Sequence, residues 1–250
     1  CSFDMLGEGA RTADGARRYE AAYARALGAI ADIGAGRDGP ENGHGISVKL
    51  SALSPRYEPL QEERVWGELY PRLLRLARQH GQRVQVLHVT TAEEMQILAQ
   101  HKDIATVEVT PQHLTLAAPD CYERLGSFAQ MTPPIRDGRH RDGLWAGLRA
   151  GIVDVIGSDH APHTREEKSK PYPNSPSGMP GVQTLLPLLL DHVNAGKLTL
   201  QRRMDLTSAG PQRVYGIAGK GRIALGYDAD FTVVDLKRRQ RIEESWLASR

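Results

Sequence analysis

The fold is decided by the stretch Val153-Asp154-Val155-Ile156-Gly157-Ser158-Asp159-His160-Ala161-Pro162-His163, in which a β-branched apolar run ends in one acid and two histidines. A buried strand of a parallel (β/α) barrel has this pattern, because polar side chains appear only where the strand leaves the sheet. Burying a carboxylate beside imidazoles is costly unless a metal, a proton or a substrate lies between them. The stretch predicts a barrel strand with a reaction centre at its end. The alternative is a strand end with a helix-capping aspartate and two surface histidines.

The composition of the 250-residue chain is that of a globular protein, with 40% apolar residues, 25% charged residues and a net charge of +2. No run of Lys and Arg is interleaved with aromatic residues, so nucleic acid is not an expected partner. No apolar run reaches the length of a membrane span and no signal peptide is visible, so we expect no membrane association. The two cysteines, Cys1 and Cys121, do not suggest a disulfide scaffold, which favours a cytoplasmic location. Because the first residue is not a methionine, we expect the chain to start inside a longer protein.

Predicted strands and helices alternate along the chain, which is the rhythm of parallel α/β construction. Apolar residues at three- and four-residue spacing predict a helix over residues 12–34, and Thr91-Ala92-Glu93-Glu94 is a capping box that opens another helix. The predicted strands span residues 2–6, 45–50, 84–89, 104–110 and 152–158, and further helices span 65–76, 141–151, 185–193 and 198–208. Residues 219–223 and 230–236 alternate with a period of two, which predicts a small appended sheet.

Three successive strands in the second part of the chain end in a histidine or an acid. His88 lies near the end of one strand, His113 just past the end of the next, and Asp159 at the end of a third. The carboxyl ends of parallel barrel strands meet at one mouth, and these side chains suit a divalent metal. Each histidine alone is more often structural, but the three residues in order predict a metal site.

Residues 76 to 250 resemble type I dihydroorotases of the amidohydrolase superfamily. In particular, Asp-His-Ala-Pro-His followed by Ser-Gly-Met-Pro-Gly is similar to dihydroorotases rather than to the related hydantoinases and allantoinases. The stretches that carry the resemblance are Val86–Glu94, Glu108–Leu114, Pro133–Arg136, Asp154–Thr164, Ser177–Gly181 and Lys220–Asp230.

The resemblance implies a Zn²⁺-dependent cyclic amidohydrolase that opens dihydroorotate to N-carbamoyl-aspartate in pyrimidine biosynthesis. His88 and His113 would be zinc ligands on the fifth and sixth barrel strands, and Asp159 would be both a ligand and the general base. A metal ion lowers the pKa of its bound water, and a carboxylate placed in this way moves the proton to the leaving nitrogen. The substrate would be held by His163 and by the backbone around Pro180 and Gly181.

The first part of the chain departs from that family. The family's first strand carries a His-x-His-x-Arg motif, and no His-x-His occurs anywhere in this sequence, so we expect the activity to be impaired by the missing metal ligands. Residues 1 to 75 instead resemble the proline dehydrogenase barrel of bifunctional proline-utilisation proteins. This second resemblance implies that Lys49 contacts a substrate carboxylate beside FAD. It is carried by the stretches Ser2–Glu8, Thr12–Asp14, Gly45–Glu58 and Glu68–Leu73.

Together these patterns predict an α/β, TIM-type (β/α) barrel that is incomplete or hybrid, with a small C-terminal β segment. The predicted parts are a proline-dehydrogenase-like fragment at 1–75, a dihydroorotase-like half barrel at 76–217 and the β segment at 218–250. About six barrel strands, where eight are usual, would leave sheet edges exposed and favour association into a homo-oligomer. Two alternatives to the dihydroorotase hypothesis stay open. One is FAD-dependent proline oxidation, and the other is a non-catalytic partner of aspartate transcarbamoylase.

Overall fold

A computed structural model describes residues 2–5, 9–34, 43–55 and 65–248. The chain divides into two compact units, Cys1–Val84 and Gln85–Arg250. Residue 6 of the first predicted strand lies outside the described residues, as do residues 6–8 and 56–58 of the proline-dehydrogenase-like stretches.

The N-terminal unit contains two parallel strands. Strand β1 (Ser2–Asp4) pairs with β2 (Gly45–Ser47) so that Phe3 lies opposite Ile46. Helix α1 (Ala13–Gly34) confirms the helix predicted over 12–34, and its Tyr23 side chain is buried against Leu53. The other helices are α2 (Leu50–Leu53), a π-helical turn (Val65–Leu69) and α3 (Tyr70–Gln79).

Helix α3 packs within the N-terminal unit, although the sequence placed a boundary at residue 75. The guanidinium of Arg72 donates to the backbone oxygen of Leu53 over 2.7 Å, and Arg75 pairs with Glu20 of α1 over 2.8 Å. Leu76 is buried in the same apolar cluster as Tyr23. Because these contacts tie the whole helix to α1 and α2, the structural division falls after α3, between residues 84 and 85.

The C-terminal unit is built around a three-stranded sheet in the order β3-β4-β5. Its strands are β3 (Val84–Val86), β4 (Ala105–Val109) and β5 (Val155–Ile156), and β4 and β5 are parallel. The apolar cluster beneath the sheet includes Val107 and Leu148, which are fully buried. The helices are α4 (Ala92–Ala99), α5 (Pro111–Thr115), α6 (Asp120–Leu125), α7 (Gly138–Arg149), α8 (Arg165–Lys168), α9 (Leu185–Asn194), α10 (Leu200–Met204) and α11 (Gly210–Tyr215), with a 3₁₀ turn at Gly126–Ala129, a π-helical turn at Asp205–Ala209 and a 3₁₀ turn at Glu244–Trp246.

The alternation of strands and helices predicted from the sequence is confirmed. The described residues form five strands in two sheets, a partial α/β fold rather than a closed barrel. The predicted capping box is also present, since the Thr91 hydroxyl accepts from the Glu94 backbone N–H and the Glu94 carboxylate accepts from the Thr91 N–H. Within the described ranges, no helix has the length and apolarity that crossing a membrane requires.

The predicted C-terminal sheet is wrong. Between residues 218 and 248, which the structure describes, there is no strand, and the side chains of Leu225 and Val233 are almost fully exposed. Alternation with a period of two favours an extended backbone, but a strand is stabilised only by hydrogen bonds to a neighbouring strand. Among the described residues no such neighbour reaches this segment, so the pattern alone does not produce a sheet.

The difference between the buried cluster and the exposed segment can be measured with two matched leucine substitutions. Leu148→Ala leaves a cavity under the sheet and should lower the free energy of unfolding by about 2–5 kcal/mol. Leu225→Ala removes the same atoms from an exposed side chain and should change it by less than about 0.5 kcal/mol. Urea titration of both variants checks this. A cost at Leu225 as large as that at Leu148 would mean that residues 219–236 are packed.

Candidate active site

Two predicted site residues, His88 and Asp159, follow the ends of strands β3 and β5 and share an unusual backbone conformation. Their φ angles are +37° and +44°, and no other described residue except glycine has a positive φ. Side chains of L-residues crowd the backbone in this left-handed region, although His and Asp tolerate it better than most. Strained backbone of this kind concentrates at functional sites. Both residues are among those for which the sequence predicts a role in a metal site.

The carboxylate of Glu108, on β4, lies between these two strand ends. Its Oε1 accepts a hydrogen bond from the backbone N–H of His88 over 3.4 Å. On the other side it lies against Gly157, where a Cβ atom would be 2.5 Å from the Glu108 carboxyl carbon. With the carboxylate in this position there is no room for a side chain at residue 157, two residues before Asp159.

Burial raises the pKa of Glu108, and the negative charge of Asp159 raises it further, while the hydrogen bond from His88 opposes the shift. Sequence reasoning missed this residue. The signal was an acid between two apolar residues, Val107 and Val109, in the middle of a strand that otherwise reads as buried.

His113 is buried, and both of its ring nitrogens contact protein groups. Nε2 lies 3.1 Å from the backbone oxygen of Pro133, and Nδ1 lies 2.7 Å from the Thr110 hydroxyl. Because a carbonyl only accepts, Nε2 carries the proton and Nδ1 accepts from Thr110. Burial lowers the pKa of His113 to about 4, so the ring is neutral at pH 7. His88 and Asp159 both act on this pKa, so they lie within electrostatic range of the ring.

The predicted zinc ligands do not fit a metal site in this arrangement. Within the described part of the chain, no group of three or more His, Cys, Asp and Glu side chains could hold a metal ion. His113 would first have to give up its hydrogen bond to Pro133. The structure therefore places His88 and Asp159 after the ends of β3 and β5, on either side of β4, and uses His113 as a link between α5 and residue 133.

The predicted substrate-holding residues lie on or beside residues 175–181, here called the 175–181 loop. His163 donates from Nε2 to the backbone oxygen of Ser177 over 3.1 Å. His160 accepts from the backbone N–H of Gly181 at Nδ1 over 3.0 Å. A Cβ on Gly181 would lie 2.3 Å from the Ser158 backbone oxygen, so this position requires glycine. Pro180 is exposed.

Lys49 belongs to the N-terminal unit, where its surroundings give it a structural role. Its ammonium group lies 3.7 Å from a carboxylate oxygen of Asp4, at the end of β1. Its backbone N–H donates to the hydroxyl of Tyr23 over 3.1 Å, and it precedes the first residue of α2. These contacts account for a lysine at this position without a substrate.

Comparison with known proteins gives a consistent result. The sequence profile of the amidohydrolase family matches residues 61–248. A dihydroorotase of Halobacterium salinarum is 42% identical over 164 residues, covering 66% of this chain and 38% of its own length. A dihydroorotase of Methanosarcina mazei is 38% identical over 181 residues, covering 68% and 40%. The L-hydantoinase of Arthrobacter aurescens matches in structure with a TM-score of 0.63 at 26% identity, over 92% of this chain and 47% of its own.

The matches bear on the length of the chain and on the origin of its first 75 residues. The chain spans about two fifths of the length of the curated relatives that it matches. The resemblance of residues 1–75 to proline dehydrogenase gains no support, because the family match begins at residue 61 and the likeness to the hydantoinase covers 92% of the chain.

The buried neutral His113 predicts a loss of stability in acid. Its native pKa of about 4 is below the ordinary value of 6.5, so between these pH values the unfolded chain binds a proton that the native chain excludes. The free energy of unfolding should therefore fall as the pH drops from 6.5 to 4, by about 1.4 kcal/mol per pH unit from this residue. Urea titrations at several pH values measure the slope. It should flatten in His113→Gln, and an unchanged slope in that variant would contradict the assignment.

Proposed function

The chain belongs to the amidohydrolase family. From that premise we propose that it binds dihydroorotate and supplies the proton-transferring residue of a dihydroorotase-type site. The reaction is the reversible hydrolysis of a cyclic amide, from dihydroorotate and water to N-carbamoyl-aspartate, within pyrimidine biosynthesis. The observation that carries the proposal is the meeting of His88, Glu108 and Asp159 around adjacent strand ends.

The choice of substrate within the family rests on sequence. The relatives at 36–42% identity are dihydroorotases, whereas the likeness to the L-hydantoinase in structure is at 26% identity. The Asp159–His163 stretch and the 175–181 loop, which carry the dihydroorotase resemblance, are joined by the bonds of His160 and His163 to the loop. This pairing supports a dihydroorotate site beside Asp159.

In this proposal Asp159 is the general base. It accepts a proton as a water oxygen bonds to the ring amide carbon, and it gives that proton to the nitrogen as the carbon–nitrogen bond breaks. The Glu108 carboxylate accepts a hydrogen bond from the backbone N–H of His88. This bond fixes the end of β3, on the other side of β4 from Asp159. His163 contacts the substrate carboxylate, and the loop backbone at Pro180 and Gly181 lies along the bound ring.

Zinc enters the proposal only as an expectation from the resemblance. Of its three predicted ligands, His113 is engaged on both nitrogens, and the described residues do not form a metal-binding group. The proposal therefore gives this chain substrate contacts and proton transfer, and it assigns no step to a metal.

The mismatch between the predicted zinc ligands and the contacts of His113 favours a second candidate function. This function is binding of dihydroorotate without ring opening. A chain that holds the substrate but not the metal would act as a non-catalytic homologue, paired with another copy of itself or with aspartate transcarbamoylase. The two candidates share the binding site and differ in turnover.

Asp159→Asn separates the two candidates. Titration calorimetry with dihydroorotate should give similar affinity for the wild type and the variant, because the amide keeps the shape of the side chain. If the chain opens the ring, the variant should lower kcat by about 10²–10⁴-fold, since a general base is lost. Asp191→Asn, which changes an exposed acid on α9, is the matched control and should leave both quantities unchanged.

Each result decides between the candidates. Turnover that Asp159→Asn abolishes supports the catalytic candidate, and binding without turnover, with and without added Zn²⁺, supports the non-catalytic one. Failure of the wild type to bind either dihydroorotate or N-carbamoyl-aspartate would overturn the proposal. Metal analysis of the same samples should find less than one zinc per chain.

A further inference from the structure

The 175–181 loop has no regular secondary structure, yet five consecutive backbone carbonyls in it accept hydrogen bonds from outside the loop. The donors come from the residues around Gln130 and from the segment that follows β5. The bonds join Ser175 O to Gln130 Nε2 (3.0 Å), Pro176 O to Lys168 Nζ (3.0 Å), Ser177 O to His163 Nε2 (3.1 Å), Gly178 O to Lys168 Nζ (3.1 Å) and Met179 O to the Ala161 N–H (3.0 Å). An irregular segment satisfied in this way is held through its backbone.

Lys168 makes two of these five bonds and is itself buried, with 5% of its surface exposed. Its ammonium group also donates to the backbone oxygen of Gln130 over 2.8 Å. An ammonium group has three protons, and here three carbonyl oxygens take them. Among the residues that the structure describes, no carboxylate forms an ion pair with it. The carbonyls thus replace the water that a buried cation loses.

The backbone that carries Lys168 is fixed independently of the loop. Lys168 ends helix α8, which opens with a capping box between Thr164 and Glu167. The Ser127 hydroxyl donates to the backbone oxygen of Lys168, which ties the end of this short helix to the 3₁₀ turn before Gln130. The ammonium group therefore reaches the loop from a fixed point.

The loop approaches its support too closely for a side chain at Gly178. This residue has a φ of +140°, and a Cβ on it would lie 2.6 Å from the backbone oxygen of Ala161. Its N–H donates to the Gln130 backbone oxygen over 3.0 Å, the same oxygen that Lys168 contacts. Both polar groups of Gly178 are thus tied to the Lys168–Gln130 pair.

We propose that Lys168 is a positioning residue, whose ammonium group fixes the backbone of the 175–181 loop in the conformation that presents Pro180 and Gly181 to the substrate. The inference that substrate affinity depends on this rests on the function proposed above. Lys168 does not touch the substrate in this scheme. It acts through the carbonyls of Pro176 and Gly178.

The test compares Lys168→Met with Lys170→Met, which changes an exposed lysine two residues further on. Amide hydrogen exchange is measured at Gly178 and Gly181, whose N–H groups are bonded in the native structure. In Lys168→Met both amides should exchange about tenfold faster or more, while amides of β4 stay protected. The Kd for dihydroorotate should rise by about tenfold with little change in any kcat, because a binding surface is disturbed. Lys170→Met should match the wild type in all measurements.

The results distinguish this inference from the proposed function. Unchanged exchange at Gly178 and Gly181 in Lys168→Met overturns the inference, and so does faster exchange with unchanged affinity for dihydroorotate. If the wild type does not bind dihydroorotate, the proposed function fails, while the exchange data alone decide whether Lys168 fixes the loop. Should Lys168→Met not fold, Lys168→Gln replaces it. That variant keeps two of the three N–H donors and should give the same changes to a smaller extent.

Discussion

The candidate site depends on the fit of one carboxylate against one glycine. A Cβ on Gly157 would lie 2.5 Å from the carboxyl carbon of Glu108, and the same carboxylate accepts the backbone N–H of His88 from the neighbouring strand end. The carboxylate thereby joins β3 to the turn that leads to Asp159. A partly buried acid is costly, and its raised pKa reflects that cost. The buried Glu108 carboxylate lies close to His88 and Asp159, the two residues with left-handed backbone conformations.

The sequence predicts site residues at His88 and Asp159 because strand ends are visible as the places where apolar runs stop. Helix α1 and the Thr91 capping box were predicted for a similar reason, since both depend on contacts within a few residues. Glu108 was missed because its partners lie 20 residues before it and 49 after it. The contact of His113 with the Pro133 carbonyl joins residues 20 positions apart, so no local pattern in the sequence predicts it. The C-terminal sheet failed because alternation does not reveal whether a partner strand exists.

The N-terminal unit shows how a short motif can mislead. Lys49 follows a strand and precedes a helix, the position in which a substrate-binding lysine would stand in a barrel. In the structure it pairs with Asp4, and its backbone N–H donates to Tyr23. Both contacts stabilise the unit itself. A strand-end lysine is therefore weak evidence for a ligand unless a second residue of the same site accompanies it.

The five-carbonyl attachment of the 175–181 loop has a consequence for how the protein can change over evolution. Every residue has a carbonyl oxygen, so these five bonds do not depend on which side chains the loop carries. The loop's own side chains matter at the glycines 178 and 181 and at the hydroxyls of Ser175 and Ser177, which bond to Gln130. An exposed position such as Pro180 can then vary without altering that path. Selection could alter ligand preference there while the supporting lysine and histidines stay in place. The exposed side chains of the loop can therefore change while its backbone and the residues that hold it stay the same.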